Sequence, residues 1–459
     1  MDTRAPVISI VSVPGSALRT LAAAAPSRYP VLFDSAADGP LARFSLLAAA
    51  PVAALWRDAG GTLDATGITV THAGFLDELE AWTRRERHDR ANPEGLPFTD
   101  GWIVYLGYEI AAEIERHLKL PRAAAPLSAF ALRVDTLAIH DLATDRVYAV
   151  SPNGAAEAHA RLIADLQAAA APGAGDAPRQ LPLARLDEEA PQRFIERVFA
   201  AKEHIAAGDI YQANLSRPWR LKLLDPADAA HAYSALRAAN PAPFAASAHF
   251  RDMNILSSSP ERLLRIEGRE ISTRPIAGTR ARFGSAAEDA RETSELVAHP
   301  KERAEHVMLI DLERNDLGRV CEAGSVTVDE YMVTETYAHV HHIVSNVRGR
   351  LRCDASAVAA LRALFPGGTI TGCPKVRCMQ VIAALEGEGR GAYTGSLGWL
   401  GTNGDADFNI LIRTLTLNGA DIELRAGAGI VADSIPEREL EETRAKARGM
   451  LRAFEAPHE

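Results

Sequence analysis

Two segments of the sequence place glutamates at the spacing of one helical turn. Glu302 and Glu305 are three residues apart in the first segment; Glu439 and Glu442 are three apart in the second, with Lys446 four residues further on. Residues at this spacing share one face of a helix. Mg²⁺ prefers such carboxylate oxygens as ligands. The pattern therefore fits either a magnesium site between two helices or two salt-bridged faces in solvent.

Helix start signals accompany both glutamate pairs. Pro300 opens the first segment, and proline favours the first turn of a helix. In the second segment Ser434 and Glu437 match a capping box, with Pro436 in the first turn. The apolar run Val307–Ile310 after the first pair is expected to be buried. We therefore expect two helices, beginning near Pro300 and Pro436, to position the glutamates.

A glycine-rich segment, Phe365–Arg377, contains the two glycines of a phosphate-binding P-loop. A P-loop continues with Lys and then Ser or Thr. Here Cys373 and Pro374 follow instead, and proline has no N–H to offer a phosphate. The sequence therefore excludes a P-loop. Thr369 and Lys375 remain in the segment, which predicts a cradle for a small anion.

A second glycine pair, Gly427 and Gly429, follows a predicted strand and matches the dinucleotide-binding pattern G-x-G-x-x-A. In that fold the helix begins at the glycines, whereas here a helix is expected only near Pro436. We therefore expect this pair to offer backbone N–H groups to a carboxylate.

Three histidines lie in a segment rich in β-branched residues. On a strand, His339 and His341 face one way and His342 faces the other. A zinc site needs further Cys or His ligands at suitable spacing, and the neighbouring sequence does not supply them. Two interpretations remain, which are a buried, hydrogen-bonded histidine and an acid/base group.

The composition excludes several classes of protein. The 459 residues carry 50 Lys and Arg against 60 Asp and Glu, a net charge of −10, which argues against a protein that mainly neutralises nucleic-acid phosphates. No apolar run approaches the length of a membrane span, and the N-terminus does not resemble a secretory signal. The four cysteines form no CxxC pair. We expect a cytoplasmic protein that binds neither nucleic acid nor a membrane.

The segment Ala168–Pro178 is rich in Ala, Gly and Pro, which predicts a linker. It suggests an N-terminal subdomain over 1–167, a linker over 168–190 and a catalytic domain over 191–455. Predicted strands, among them Ile410–Leu417, do not alternate regularly with helices. This order favours a layered α+β fold with mostly antiparallel sheets.

Eight segments occur in the order found in the chorismate-binding enzymes, and together they resemble the large subunits of anthranilate synthase and aminodeoxychorismate synthase. They are SSSPERLL, TRPIAGTR, ERAEHVMLIDLERNDLGRV, HVHHIVSNVRG, FPGGTITGCPKVRCMQ, GAYTGSLGWL, FNILIRTL and GAGIVADSIPERELEET. The resemblance is strong over Gln192–Phe454 and weak before it. It implies a large layered α/β sandwich of the anthranilate synthase type, with two intertwined subdomains.

The resemblance also implies roles for individual residues. By motif position, Mg²⁺ would be held by Glu305, Glu439 and Glu442. Acid/base work on the departing hydroxyl of chorismate would fall to Glu261 and His342.

Further residues of the family site can be placed in the same way. Thr369, in the glycine-rich segment, would line the site beside the catalytic groups. The positions that hold the enolpyruvyl carboxylate of chorismate correspond here to Tyr393, Arg413, Gly427, Ala428, Gly429 and Lys446.

The sequence carries signals for two products. Many aminodeoxychorismate synthases have a lysine nucleophile where this chain, like anthranilate synthases, has Ala277. Asp209–Ser216 (DIYQANLS) and Phe33–Leu47 (FDSAADGPLARFSLL) instead resemble aminodeoxychorismate synthases. Two segments outweigh one residue, so we predict an enzyme that makes 4-amino-4-deoxychorismate for p-aminobenzoate and folate synthesis. Anthranilate synthase component I is the alternative.

Other members of the family fit less well. Isochorismate and salicylate synthases would lack, at Ala277, the lysine that activates water. A non-catalytic chorismate-binding protein is a distant alternative. Cys373 lies in TGCPK rather than in the G-x-C-x-G setting of a glutaminase nucleophile, so ammonia is expected from a separate amidotransferase (glutaminase) subunit or from free ammonium.

Overall fold

The computed structural model describes residues 5–37, 39, 41–88, 92, 94–171, 179–281, 300–336 and 340–455. Its strands form two large sheets. The first runs in the order β1 (Val7–Val11), β9 (Arg146–Ser151), β8 (Thr136–Asp141), β3 (Phe44–Ala49), β2 (Val31–Asp34), β12 (Phe244–Phe250), β13 (Met253–Ser259), β22 (Thr414–Asn418), β23 (Asp421–Ile430), β11 (Gln212–Leu223), β10 (Leu181–Glu188) and β24 (Phe454–Glu455), with β19 (Gly372–Cys373) on β11.

The second sheet runs in the order β16 (Ile276–Ala281), β18 (Val340–Arg350), β15 (Glu270–Thr273), β14 (Arg262–Glu267), β21 (Ala406–Asn409), β20 (Ser396–Gly401), β6 (Gly101–Leu106), β7 (Leu127–Val134), β4 (Ala53–Asp58) and β5 (Leu63–Thr66), with β17 (Thr327–Thr336) on β18. Every described strand pair is antiparallel except β10 with β24. The predicted α+β fold with mostly antiparallel sheets is therefore confirmed.

Helices cover the outer faces of the sheets. They are α1 (Ser16–Ala24), α2 (Phe75–Arg85), α3 (Ala111–Ile114), α4 (Ala156–Ala169), α5 (Pro191–Ala206), α6 (Ala232–Ala239), α7 (Pro300–Gly318), α8 (Ala357–Leu364), α9 (Lys375–Glu386) and α10 (Pro436–Leu451). None of the described helices is long and apolar enough to cross a membrane.

The core follows from the alternation of side chains along the strands. Ile103 and Tyr105 of β6 share one apolar core with Ile139 of β8, which belongs to the other sheet. Trp102 and Val104, on the opposite face of β6, pack in a second core that contains α2 and α8. The two sheets therefore form a sandwich with a dry interior.

Both sheets contain strands from both sides of the predicted linker 168–190, as the intertwined arrangement requires. The linker prediction is wrong over Leu181–Glu188, which forms β10 and pairs with β11 and β24. Leu181 and Leu183 are buried there, in a core that they share with α6 and α10. The residues 172–178 lie outside the described ranges.

Two crossings between the sheets lie side by side. The chain leaves β13 of the first sheet and enters β14 of the second at Glu261, and it returns from β21 to β22 through Ile410–Arg413. The N–H of Ile410 donates to the carbonyl of Glu261 at 3.0 Å, and that of Ser258 donates to the carbonyl of Arg413 at 3.0 Å. The predicted strand Ile410–Leu417 is therefore wrong over its first four residues, which connect the two sheets.

The helices expected near Pro300 and Pro436 are confirmed as α7 and α10. The capping box at Ser434 is wrong, because Ile435 is the N-cap of α10 and no side chain caps it. Ser434 instead accepts the N–H of Val431 through its hydroxyl, at 3.1 Å. Its side chain therefore stabilises the turn that leads from β23 into the helix.

Candidate active site

Glu261 lies at the first sheet crossing and is only 5% exposed. Its Oε1 accepts a hydrogen bond from the Thr369 hydroxyl at 2.7 Å. Burial raises the pKa of Glu261 to about 7, although Thr369, the N–H of Ile276, Arg413 and Lys446 all favour its charged form. A carboxyl with this pKa gains and loses a proton near neutral pH, as general acid–base catalysis requires.

Arg413 lies at the second crossing, beside Glu261. Burial lowers the pKa of Arg413, against the opposing effect of Glu261. Among the described residues, no hydrogen bond or ion pair engages its guanidinium. Its backbone has a φ of 52°, in the left-handed region, where a non-glycine residue is strained and often functional. The site therefore holds a cation that is available to an anionic ligand.

The two predicted glycines lie on β23 and allow close approach. A Cβ on Gly427 would lie 2.6 Å from both the Tyr393 hydroxyl and Oδ1 of Asn214, and a Cβ on Gly429 would lie 2.4 Å from Nε2 of Gln212. β22 pairs with β23 only as far as Leu424, and no described strand pairs with the rest of that edge. Backbone groups of the glycine segment are therefore available on that side.

Three further predicted residues surround the glycines. Nζ of Lys446 donates to the carbonyl of Gly427 at 2.9 Å and lies 2.8 Å from Oε1 of Glu442. Burial raises the pKa of Tyr393 to about 12, so its hydroxyl stays protonated. The methyl group of Ala428 packs in an apolar core with Ile430. The Ala428 side chain therefore belongs to this core and not to the glycine-lined edge.

The predicted magnesium ligands lie on α7 and α10. Glu305 is half-buried, Glu439 is buried and Glu442 is exposed. Within the described ranges, no three His, Cys, Asp or Glu side chains form a group that could hold a metal ion. The magnesium site therefore stays a prediction.

The histidines differ in how far the structure describes them. His342 is buried on β18. His339, three residues earlier, lies outside the described residues. His306, on α7, is also buried, and its Nε2 lies 2.6 Å from the Ser345 hydroxyl. Burial lowers the pKa of His306 to about 4, so it is neutral near pH 7. His306 therefore has a structural role.

The structure also shows charged groups that the sequence analysis missed. Lys375, expected to cradle an anion, donates instead to Asp316 and to the carbonyl of Leu364. Glu313 is buried next to Asp316 on α7. In the sequence both acids lie in the polar segment Asp311–Asp316, so no local signal marked them as buried.

The segment DIYQANLS enters the site directly. Gln212 and Asn214 begin β11, which pairs with β23 through Asn214 and Gly429. Oε1 of Gln212 and Oδ1 of Asn214 are buried and accept no hydrogen bond from the described protein. Position 277 follows Ile276, whose backbone N–H lies near Glu261 and favours its charged form.

The sequence matches the family described as chorismate binding enzyme over residues 31–452. The chain is a chorismate-binding enzyme. Its family membership accords with a buried acid, a cation available to an anion and a glycine-lined strand edge at one place in the fold.

Relatives of this chorismate-binding enzyme include both kinds of synthase. Anthranilate synthase component 1 of Streptomyces coelicolor is 44% identical over 405 residues, which cover 82% of this chain and 77% of that protein. Aminodeoxychorismate synthase component 1 of Bacillus subtilis is 38% identical over 451 residues, which cover 94% and 93%. The crystal structure of anthranilate synthase component I from Streptococcus pneumoniae superposes with a TM-score of 0.79 at 32% identity, over 90% of this chain and 93% of that one.

Proposed function

We propose that this chain is the large component of an aminodeoxychorismate synthase, which converts chorismate and ammonia to 4-amino-4-deoxychorismate and water. The observation that carries the proposal is the position of Gln212 and Asn214. These residues belong to the segment that resembles aminodeoxychorismate synthases. Oδ1 of Asn214 faces Gly427 and Nε2 of Gln212 faces Gly429, and the side-chain oxygen of each residue is buried and accepts no hydrogen bond from the described protein. The segment therefore belongs to the site and can influence the product.

The chain's own residues suffice to position the substrate and supply a proton. Arg413 and the protonated hydroxyl of Tyr393 would bind a substrate carboxylate, together with backbone groups of Gly427–Gly429. Glu261, held by Thr369, would donate its proton to the hydroxyl oxygen as the C–O bond breaks and water leaves. The ammonia nitrogen forms the new C–N bond and then loses one proton, so the proton balance closes.

The alternative product is anthranilate, and Ala277 favours it. A lysine at this position would follow Ile276, whose backbone N–H lies near Glu261, and could act as a nucleophile. Alanine cannot form a covalent intermediate. In the proposed reaction ammonia therefore attacks the ring directly.

Product identification separates the two reactions. Incubation with chorismate, Mg²⁺ and ammonium is expected to give aminodeoxychorismate by mass spectrometry, with no pyruvate released. Anthranilate with pyruvate would contradict the proposal, and no turnover would point to a binding protein. Asn214→Val, which removes a buried oxygen that accepts no hydrogen bond from the described protein, should reduce aminodeoxychorismate formation. Lys222→Gln is the control, because it changes an exposed residue of the same strand.

We propose Mg²⁺ as the cofactor, with Glu305, Glu439 and Glu442 as the residues that would hold it. A bound ion would neutralise charge on the substrate carboxylate. Support comes from the carboxylate donor set, since Mg²⁺ commonly combines one or two carboxylates with water and substrate oxygens. Calorimetry should show Mg²⁺ binding that strengthens with chorismate and is lost in Glu439→Gln. Unchanged binding in that variant would contradict the ligand set.

We further propose that ammonia comes from a separate amidotransferase subunit. A glutaminase needs a reactive thiolate, but burial raises the pKa of Cys321 to about 11 and that of Cys378 to about 12. Burial also raises the pKa of Cys373. The chain alone should use ammonium and not glutamine. Glutamine-dependent turnover by the isolated chain would contradict this proposal.

A further inference from the structure

Two more buried acids lie behind Glu261. Glu313 and Asp316 are three residues apart on α7, and each is 3% exposed. Lys375 forms an ion pair with Asp316, and Arg319 also favours the charged form of Asp316. Glu313 forms no ion pair with a described residue. The ion pair with Lys375 therefore belongs to Asp316, and Glu313 has no cation in direct contact among the described residues.

The contacts of Glu313 lead directly to the catalytic carboxyl. The Thr273 side chain on β15 lies near Glu313 and favours its charged form. A Cβ on Gly368 would lie only 3.1 Å from Oε1 of Glu313. Gly368 precedes Thr369, whose hydroxyl donates to Glu261. The Glu313 carboxyl therefore packs beneath the turn that holds Glu261 in place.

Charge decides the protonation state of Glu313. An unpaired carboxylate is costly to bury, so a group in this position keeps its proton instead. Burial raises the pKa of Glu313, as do the charges of Asp316 and Glu261, while Lys375 and Thr273 oppose the shift. Burial also raises the pKa of Asp316, but its contact with Lys375 favours the charged form.

We propose that Glu313 is a positioning residue for Glu261, which supports the Thr369 turn as an uncharged carboxylic acid and weakens turnover when it ionises. Its ionisation would place a second negative charge beside Glu261 and the anionic substrate. This inference rests on the proposed role of Glu261 in turnover. The predicted effect of Glu313 on stability does not depend on the role of Glu261. The proposal for Glu313 and the proposed function can therefore fail separately.

The test compares wild type, Glu313→Gln and Asp311→Asn. Glutamine keeps the shape and uncharged state of the protonated acid; Asp311, exposed on the same helix, is the matched control. At about pH 6.5 Glu313→Gln should keep kcat/KM within about threefold of wild type, because the replaced group is already neutral. At alkaline pH, the fall of kcat/KM in Glu313→Gln should contain one ionisation fewer than the fall in wild type. Asp311→Asn should show the same pH profile as wild type.

Thermal unfolding supplies the second readout. Because burial raises the pKa of Glu313, wild type loses stability as pH rises through that pKa. The Tm of Glu313→Gln should therefore rise relative to wild type between about pH 5 and about pH 9. A Tm difference that is constant with pH, a large loss of kcat/KM at about pH 6.5 in folded Glu313→Gln, or an unchanged alkaline limb would overturn the proposal.

Discussion

Two buried glutamates of this enzyme, Glu386 and Glu261, differ in how far neighbouring charges compensate them. Glu386 is 4% exposed, and its two oxygens accept hydrogen bonds from Arg390 at 2.7 and 3.0 Å and from Arg425 at 3.2 Å. Ser216 adds its N–H at 2.8 Å and its hydroxyl at 3.0 Å. Burial alone would raise the pKa of Glu386, but Arg390 and Arg425 hold it below its usual value.

Glu261 is equally buried but incompletely balanced. Its one side-chain hydrogen bond from a described residue comes from Thr369, and burial raises its pKa to about 7. Nearby Arg413 forms no hydrogen bond through its guanidinium within the described structure. At Glu386, ion pairs with two arginines stabilise the fold. Glu261 and Arg413 have no such ion pairs among the described residues and remain available to a ligand. The difference distinguishes a structural ion cluster from a site.

Breaking the balanced cluster should cause the largest effect. Glu386→Gln removes the carboxylate partner of Arg390 and leaves Arg425 with only Glu388, so we expect a loss of about 3–5 kcal/mol in the free energy of unfolding. Urea unfolding measures this loss. At temperatures where the variant is folded, kcat/KM should stay within about threefold of wild type. A stable Glu386→Gln variant without activity would show that this cluster belongs to the site.

The pH dependence of the free energy of unfolding should distinguish Glu261 from Glu386. The pKa of Glu261 is about 7 in the folded chain against the ordinary 4.5, so its contribution to stability is present below about pH 4.5 and is lost as pH rises through about 7. Relative to wild type, Glu261→Gln should therefore gain about 3 kcal/mol between about pH 4.5 and about pH 8. Urea unfolding across this range tests the sign, and an unchanged difference would argue against a raised pKa.

Removing the available cation should affect binding more than folding. Arg413→Gln should weaken chorismate binding by about 2 kcal/mol, or about thirtyfold, because a charged hydrogen bond to the substrate is lost. Calorimetry measures the change. Arg448→Gln, which replaces an exposed arginine of α10, is the control. Equal affinities for chorismate in the two variants would show that Arg413 does not bind the substrate.

A steric change in the glycine segment should have the smallest effect. The Cβ in Gly427→Ala would lie 2.6 Å from the Tyr393 hydroxyl and 2.7 Å from the carbonyl of Leu215, so overpacking should cost about 1 kcal/mol of substrate binding and raise KM about fivefold. Gly318→Ala is the control, since its Cβ would meet no neighbour within 4 Å. An unchanged KM in Gly427→Ala would show that the glycine edge does not contact substrate.

The sequence predicts the elements of the site better than their surroundings. Pro300 and Pro436 mark where α7 and α10 begin, because proline at a helix start is a local signal. The sheet crossing at Ile410–Arg413 reads as a strand, since apolar residues in a crossing resemble those in a strand. Strand β10 was hidden for a related reason, because its burial depends on a distant partner, β11.

Charge partners could not be predicted, since they depend on residues far apart in sequence. Lys375 and Asp316 are 59 residues apart and meet through their side chains. Thr369 and Glu261 are 108 apart. Ser434 matches a capping box locally, yet the turn after β23 uses its hydroxyl. Only the folded chain shows which acids are balanced and which are left to react.

The most direct test of Glu261 as the catalytic carboxyl is chorismate turnover by Glu261→Gln at about pH 7. This variant keeps the shape of the side chain but cannot donate a proton. We expect a loss of about 10²–10⁴-fold in kcat, as for a general acid, with a folded protein and chorismate binding retained. Turnover near the wild-type rate would contradict the assignment and place the chemistry elsewhere in the molecule.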